Sequence, residues 1–143
     1  MSTISILQSK KQNYINKKNH ALDQITRYER LYESLSAFKT TVSQSQEEFH
    51  SVNTNKLSML SDVVNVKKNS ITVQRYYTGM QNVFLGIGSK IIGVIYSVLI
   101  KSISAKLKSY LNSIDDYEAN IVLYDRKIAE IDCQIEMEKK LRN

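Results

Sequence analysis

The chain has 143 residues, the length of a single domain, and its 42% hydrophobic and 24% charged residues exclude complete disorder. It contains no proline and four glycines, so few positions lock φ or weaken a helix, and an all-α protein is predicted. The formal charge of +6 falls mainly on residues 51–100, which carry five basic residues and one acidic residue. The basic residues of this segment occur singly or as the doublet Lys67-Lys68, without a dense block or an arginine cluster. This distribution disfavours nucleic-acid binding.

Residues that usually carry catalysis or bind metals are sparse and far apart in the sequence. His20 and His50 are separated by 30 residues, and Cys133, the single cysteine, follows 83 residues later, which is not a metal-ligand spacing. The acidic residues from Asp115 to Asp132 are expected to lie as solvated charge on the flanks of a helix, without the desolvating pocket that acid–base catalysis needs. The sequence therefore predicts a protein that is not an enzyme and that holds no cofactor and no metal.

The first predicted element is a long helix over residues 1–52. Two apolar heptad positions form a packing seam along this helix. Lys11, Lys18 and Ser45 interrupt the second of these positions, which weakens the seam without destroying its period. The first heptad position is occupied by Leu7, Tyr14, Ala21, Tyr28, Leu35, Val42 and Phe49. A sustained period of seven predicts that one side of this helix faces a neighbouring helix.

A middle helix is predicted over residues 55–78, with less definite ends. Residues 51–60 and 66–73 are rich in Ser, Asn and Thr, which compete with a helix by bonding the local backbone. Thr54 or Asn55 is expected to cap the new helix, because either side chain accepts a bond from a free backbone N–H.

All four glycines lie within residues 79–93, which are predicted to form a glycine-containing bend. Residues 83–100 are apolar on every face, with Lys90 as their only charge, so they are expected to be buried by protein or inserted in lipid. A lysine near the middle of this stretch disfavours a membrane span, because it costs roughly 2.5–3.5 kcal/mol on insertion scales.

The last predicted element is a heptad helix over residues 94–142. Its seam consists of Ile100, Ile103, Leu107, Tyr110, Ile114, Tyr117, Ile121, Tyr124, Ile128, Ile131 and Ile135. The tyrosines predict a wide, partly wet contact, because each phenol must keep a partner or reach water. Two helices of about 50 residues would each extend roughly 75 Å. The predicted fold is therefore an elongated, coiled-coil-like antiparallel helical hairpin, formed as one domain over residues 1–143.

A stripe of small residues crosses the apolar stretch at i, i+4 spacing. Ser89, Gly93 and Ser97 would permit close approach between helices, either within the folded bundle or against a different protein. Val122 and Leu123 add apolar surface outside the seam. The residues predicted to bind a partner are Phe84, Leu85, Ile87, Ser89, Ile91, Gly93, Val94, Ser97, Val122 and Leu123.

The chain has a long N-terminal coil, a Tyr-x-x-Gly-Met centre from Tyr76 to Met80, and a C-terminal heptad helix. In these features it resembles the YwqH-like proteins, the α-helical partners encoded beside LXG toxins of Gram-positive type VII secretion systems. The resemblance implies a WXG-type hairpin that binds the helical N-terminal domain of a toxin and supports its export. The chain has no Trp for the Trp-x-Gly turn of WXG-type proteins, and residues 85–88, Leu-Gly-Ile-Gly, are a loose substitute. No Tyr is followed four residues later by Asp or Glu, so the export signal is expected on a partner.

The predicted function is that of a non-enzymatic accessory and targeting protein. Its partners, as the resemblance implies, are the LXG-type toxin domain and a second small helical WXG-like protein. The alternatives are a self-associating structural coiled coil and a membrane-active helical protein that uses residues 83–100. The first alternative is disfavoured, because a simple coiled coil does not require a stretch that is apolar on every face. The N-terminal sequence lacks a charged region followed by roughly 7–15 apolar residues. No Sec signal is therefore expected, and the location is predicted to be cytoplasmic, or outside the cell after export together with the toxin.

Overall fold

The computed structural model describes residues 3–66 and 70–142, except for the side chains of Val63 and Val66. It contains three α-helices, α1 over Thr3–Val66, α2 over Ile71–Leu85 and α3 over Ile87–Arg142, and the described residues include no strand. The doublet Lys67-Lys68 and the two ends of the predicted domain 1–143 lie outside the described residues.

The residues of the chain group into two compact units. One unit is formed by the residues up to Ser34 together with those from Leu107 onward, and the other by Leu35–Lys106. Both α1 and α3 contribute segments to each unit. A side chain on a long helix reaches only those residues that lie at the same level on its neighbour, so contacts group into units along the helices.

In the first unit, segments of α1 and α3 pack antiparallel. Lys11 Nζ lies 2.7 Å from the Asp132 carboxylate, and Lys18 Nζ lies 2.7 Å from that of Asp125, so rising residue numbers on α1 meet falling numbers on α3. The buried apolar side chains of this unit are Leu7, Ala21, Ile25, Leu107, Ile114, Ile131 and Ile135. The unit is held by a narrow apolar seam flanked by ion pairs.

Aromatic contacts continue the seam of the first unit. The ring centroids of Tyr14 and Tyr124 are 6.2 Å apart. Tyr28 contacts Tyr110 and Tyr117, with centroid separations of 5.8 and 6.1 Å. All five rings are half-buried, so each phenol packs one side against the neighbouring helix while remaining accessible to water.

The second unit is also an antiparallel arrangement, in which the second half of α1 packs against α2 and the start of α3. The rings of Phe49 and Tyr96 have centroids 6.2 Å apart, and Asn53 Nδ2 donates to Ser89 Oγ at 3.2 Å. Val42 and Ile103 are buried in this unit. The predicted all-α helical hairpin is therefore confirmed.

The helix boundaries differ from the predicted segments. α1 continues through residues 53–55 to Val66, and α2 begins at Ile71, so the predicted helix over 55–78 is split between the two. Ser70 caps α2, its side chain accepting a bond from the backbone N–H of Val73 at 3.3 Å. The expected cap, Thr54, instead lies inside α1, where its hydroxyl donates to the backbone oxygen of His50.

The glycine-containing segment 79–93 is also largely helical rather than a bend. Gly79 lies inside α2, and Gly88 and Gly93 lie inside α3. Only Gly86 lies at a junction, where its φ of −79° and ψ of −171° interrupt the helix between Leu85 and Ile87. A helix tolerates isolated glycines when its apolar faces are used in packing.

Candidate functional site

The predicted hairpin seam is placed against α1 within the same chain. Every one of its eleven residues is buried or half-buried. The buried seam residues are Ile103, Leu107, Ile114, Ile131 and Ile135, and the half-buried ones are Ile100, Tyr110, Tyr117, Ile121, Tyr124 and Ile128. The seam is therefore occupied inside the molecule and is not a free surface for another chain.

The start of α3 instead exposes a large apolar face, which we call the central apolar face. At 100° per residue its members cover an arc of about 160° around the helix. They are Ile87, Ile91, Ile92, Val94, Ile95, Val98 and Leu99, all exposed. Exposure reaches 78% at Ile87 and is 53% at Ile91. Soluble monomers seldom expose a contiguous apolar surface of this kind unless it binds a partner.

The opposite side of this part of α3 faces the chain's own α1. Ser89 and Gly93 are half-buried on that side, whereas Ser97 is exposed. Ser89 Oγ accepts from Asn53 and donates to the backbone oxygen of Val83 at 3.2 Å. The first two members of the small-residue stripe therefore serve packing within the second unit. Beyond the nearby backbone of α3 and its chain neighbours, a Cβ at Gly93 would meet no described atom within 4 Å, so packing against α1 does not require a glycine there.

Two grooves of the second unit lie beside the end of α2; Phe84 lines both of them and Leu85 lines one. One groove, of about 220 Å³, is lined by both residues with Phe49 and Gly93 among others. The second, of about 260 Å³, lies between α1 and α2 and is lined by Lys56, Met59, Leu60, Tyr76, Met80 and Phe84. Phe84 is half-buried and Leu85 is exposed, so only Leu85 extends the apolar surface outward.

Two predicted partner-binding residues belong to the other unit. Val122 and Leu123 lie on α3 and are exposed. They are adjacent in sequence and lie outside the seam, so they form a small apolar surface of their own on the first unit.

The described residues contain no group of three or more His, Cys, Asp or Glu side chains that could hold a metal ion. Cys133 is exposed and is not in a disulfide. Asp125 and Asp132, two of the acidic residues expected to be solvated, are about half exposed and also pair with lysines on α1.

One stretch within Ile71–Arg142 is long and apolar enough to cross a membrane, judged by length and composition alone. None of that stretch is buried inside the protein. Its exposure distinguishes it from the core helix of a soluble protein, which passes the same test but is mostly buried.

Sequence reasoning missed the residues that organise the second unit around Gly86. Asn53 belongs to the segment rich in Ser, Asn and Thr where a break is predicted, yet it lies in α1 and bonds groups on α2 and α3. Phe49 was recognised as a seam position, but its contact with Tyr96 was not. The heptad register carries a signal for this contact. Tyr96 lies one heptad before Ile103 on α3, so both residues are expected on the side of α3 that packs against α1.

Comparison with known proteins adds no assignment to these observations, because no family model, no curated protein and no solved structure matches the chain.

Proposed function

We propose that this protein is a non-enzymatic accessory protein that binds the helical N-terminal domain of an LXG-type toxin. A second small helical WXG-like protein completes the assembly, which supports export of the toxin by a Gram-positive type VII secretion system. The observation that carries the proposal is the central apolar face. It is exposed on α3 while the opposite side of the same helix is already packed against α1.

A helical partner suits this surface better than self-association through the heptad seam. The seam residues of α3 face α1 within the same chain and are buried or half-buried. The central apolar face presents side chains at helical spacing, such as Ile87, Ile91, Val94 and Val98, which is how a helix lays apolar side chains into a groove of its partner. Burying each such side chain fully contributes about 1.5–3 kcal/mol over its exposed state.

The test is copurification of the tagged protein with the helical N-terminal domain of an LXG-type toxin. Ile91→Glu puts a charge in the middle of the central apolar face and is expected to abolish the complex, because the carboxylate would be buried without a partner. Leu111→Glu is the matched control, since Leu111 is similarly exposed on α3 but lies in the first unit. Equal capture by Ile91→Glu and the wild type would reject this surface as the docking site.

Membrane insertion of residues 83–100 is the second candidate, favoured by the exposed stretch that is long and apolar enough to cross a membrane. Gly86 interrupts the helix within it, and the continuous part from Ile87 to Ile100 is only roughly 21 Å long at 1.5 Å per residue. The hydrocarbon core of a bilayer is about 30 Å thick. An apolar helical stretch of this length, carrying Lys90, suits binding to a protein partner better than spanning a membrane.

A further inference from the structure

The backbone at the junction between α2 and α3 departs from an uninterrupted helix at Gly86, most clearly in ψ. Its φ of −79° is close to the helical range, whereas its ψ of −171° is extended and helical ψ is about −42°. Lys90 N–H already donates to the oxygen of Gly86 at 3.1 Å, as it would in a continuous helix. Rotation about ψ of this residue would therefore bring the junction toward helical geometry.

Side chains at the junction bind backbone carbonyls that a continuous helix would use. In such a helix the oxygens of Val83 and Phe84 accept from the N–H groups four residues later, at Ile87 and Gly88. In the structure Ser89 Oγ donates to the oxygen of Val83 at 3.2 Å, and Asn53 Nδ2 donates to that of Phe84 at 3.5 Å. Asn53 lies on α1, so its side chain ties the interrupted helix to the opposite arm.

Glycine is required by packing at this junction but not at the other glycines. A Cβ at position 86 would overlap the backbone oxygen of Asn82. Beyond the nearby backbone of its own helix and its chain neighbours, a Cβ at Gly79, Gly88 or Gly93 would meet no described atom within 4 Å. The observed backbone at residue 86 therefore accepts glycine and excludes a side chain. Because the distance from this Cβ to the Asn82 oxygen does not change when ψ of residue 86 rotates, a continuous helix with a side chain there also requires the backbone of residues 82–86 to become regularly helical.

We propose that Gly86 is a conformational hinge with two states, the observed kinked state and a continuous α2–α3 helix, and that Asn53 is the latch that holds the kinked state. In the continuous state the N–H groups of Ile87 and Gly88 replace the side chains of Ser89 and Asn53 on the two carbonyls. The kinked state sets how Leu85 on α2 is oriented relative to the central apolar face on α3. The hinge stands without the proposed function, whereas its role in docking rests on it.

Backbone hydrogen exchange in the full chain tests the hinge. Gly86→Ala excludes the kinked state, so the amides of residues 87 and 88 should exchange slower than in the wild type by roughly tenfold or more, because amides inside a helix exchange only after opening. Gly88→Ala is the matched control, since it adds the same methyl group where it would meet no described atom beyond the nearby backbone of its own helix and its chain neighbours. It should leave exchange at residue 87 within roughly threefold of the wild type.

A second variant tests the latch without adding a side chain at the hinge. Asn53→Ala removes both of the hydrogen bonds that α1 makes to the junction, so exchange at residues 87 and 88 should fall between those of the wild type and Gly86→Ala. The hinge is rejected if Gly86→Ala folds and exchanges like Gly88→Ala. If Gly86→Ala does not fold, Asn53→Ala decides, and unchanged exchange in that variant rejects the proposal.

The same variants separate the hinge from docking. Gly86→Ala should weaken capture of the toxin domain at least tenfold, whereas Gly88→Ala should bind like the wild type. If exchange changes as expected but binding does not, the hinge stands and its role in docking is rejected. If the wild type itself does not bind, the proposed function and the docking role both fail, while the exchange result still decides the hinge.

Discussion

Lys11 and Lys18 occupy positions where the heptad pattern predicts apolar side chains, and each has a specific partner. Lys11 pairs with Asp132 and Lys18 with Asp125, both at 2.7 Å. The two pairs are one heptad apart on both helices. The two ion pairs neutralise the lysine charges at the edge of the seam, and both pairs can form together in only one alignment of α1 with α3. The two lysines therefore weaken the apolar seam but help to specify its register.

Exchanging the charges of one pair should show a small favourable coupling. Lys18→Asp places two aspartates in contact and is expected to lower the free energy of unfolding, and adding Asp125→Lys should recover most of that loss. Lys18 is half-buried and Asp125 is exposed, so both charges still reach water, and the coupling is expected to be about 0.2–1 kcal/mol. Urea unfolding of the four proteins of the cycle measures it. In about 1 M NaCl, where the Debye length is roughly 3 Å, the coupling should shrink; no coupling at low salt would contradict a role in register.

Ala21 shows how tightly the seam is packed between its aromatic contacts. Only 2% of its surface is exposed, and it lies one heptad from both Tyr14 and Tyr28. Ala21→Leu is expected to lower the free energy of unfolding by about 1–3 kcal/mol, because a larger side chain must displace its neighbours. Ala129→Leu, at an exposed position of α3, is the control and should be nearly neutral. Equal effects in thermal unfolding would show that the seam is not closely packed at Ala21.

At the scale of helices, the heptad period of the sequence coincides with the less exposed side of α3, whereas the local residue preferences did not predict the helix ends. The seam residues of α3 are buried or half-buried, because a period of seven directly reports which side of a helix packs. The content of Ser, Asn and Thr in residues 51–60 predicted a break. The helix continues there because Thr54 bonds back to His50 and Asn53 finds acceptors on α2 and α3, so packing overrides propensity.

The candidate site around the glycines was likewise predictable only in part from the sequence. The sequence showed that residues 83–100 are apolar on every face, but it could not show which side α1 covers. That side is set by the register of the two arms, which places Ser89 and Gly93 inward and leaves Ile87 and Ile91 exposed. The unusual backbone at Gly86 was not predictable either, since its requirement for glycine depends on the position of the Asn82 oxygen.

The start of α2 offers a test of the helix end that the structure reveals. Ser70→Ala removes the oxygen that accepts from the N–H of Val73 and should lower the free energy of unfolding by about 1 kcal/mol, within a range of roughly 0.5–2. Ser70→Asp should retain most of the stability, because aspartate also caps helices. Thr54→Ala is the control inside α1 and should change stability little. A larger loss from Thr54→Ala than from Ser70→Ala would restore the predicted boundary near residue 55.

For the whole molecule, the main question is what covers the central apolar face. Basic side chains such as Lys56, Arg75 and Lys90 accompany apolar surface in the second unit, so weak attraction to anionic lipid is expected at low salt. The complex with the toxin domain should stay in the soluble fraction in liposome flotation at about 1 M NaCl, because surface attraction is screened there. Flotation of the complex that survives this salt would indicate apolar insertion and favour the membrane candidate.

Binding to the central apolar face should also stabilise the folded chain by mass action. A partner that binds only the folded state, present at 100 times its dissociation constant, is expected to raise the free energy of unfolding by about 2.7 kcal/mol. Ile91→Glu should remove this increase yet leave the stability of the isolated protein nearly unchanged, because Ile91 is exposed before binding. Urea unfolding of both proteins, with and without the toxin domain, measures the two effects separately. A large loss of stability in isolated Ile91→Glu would show that this face already packs within the free protein, and the surface assigned to the partner would be wrong.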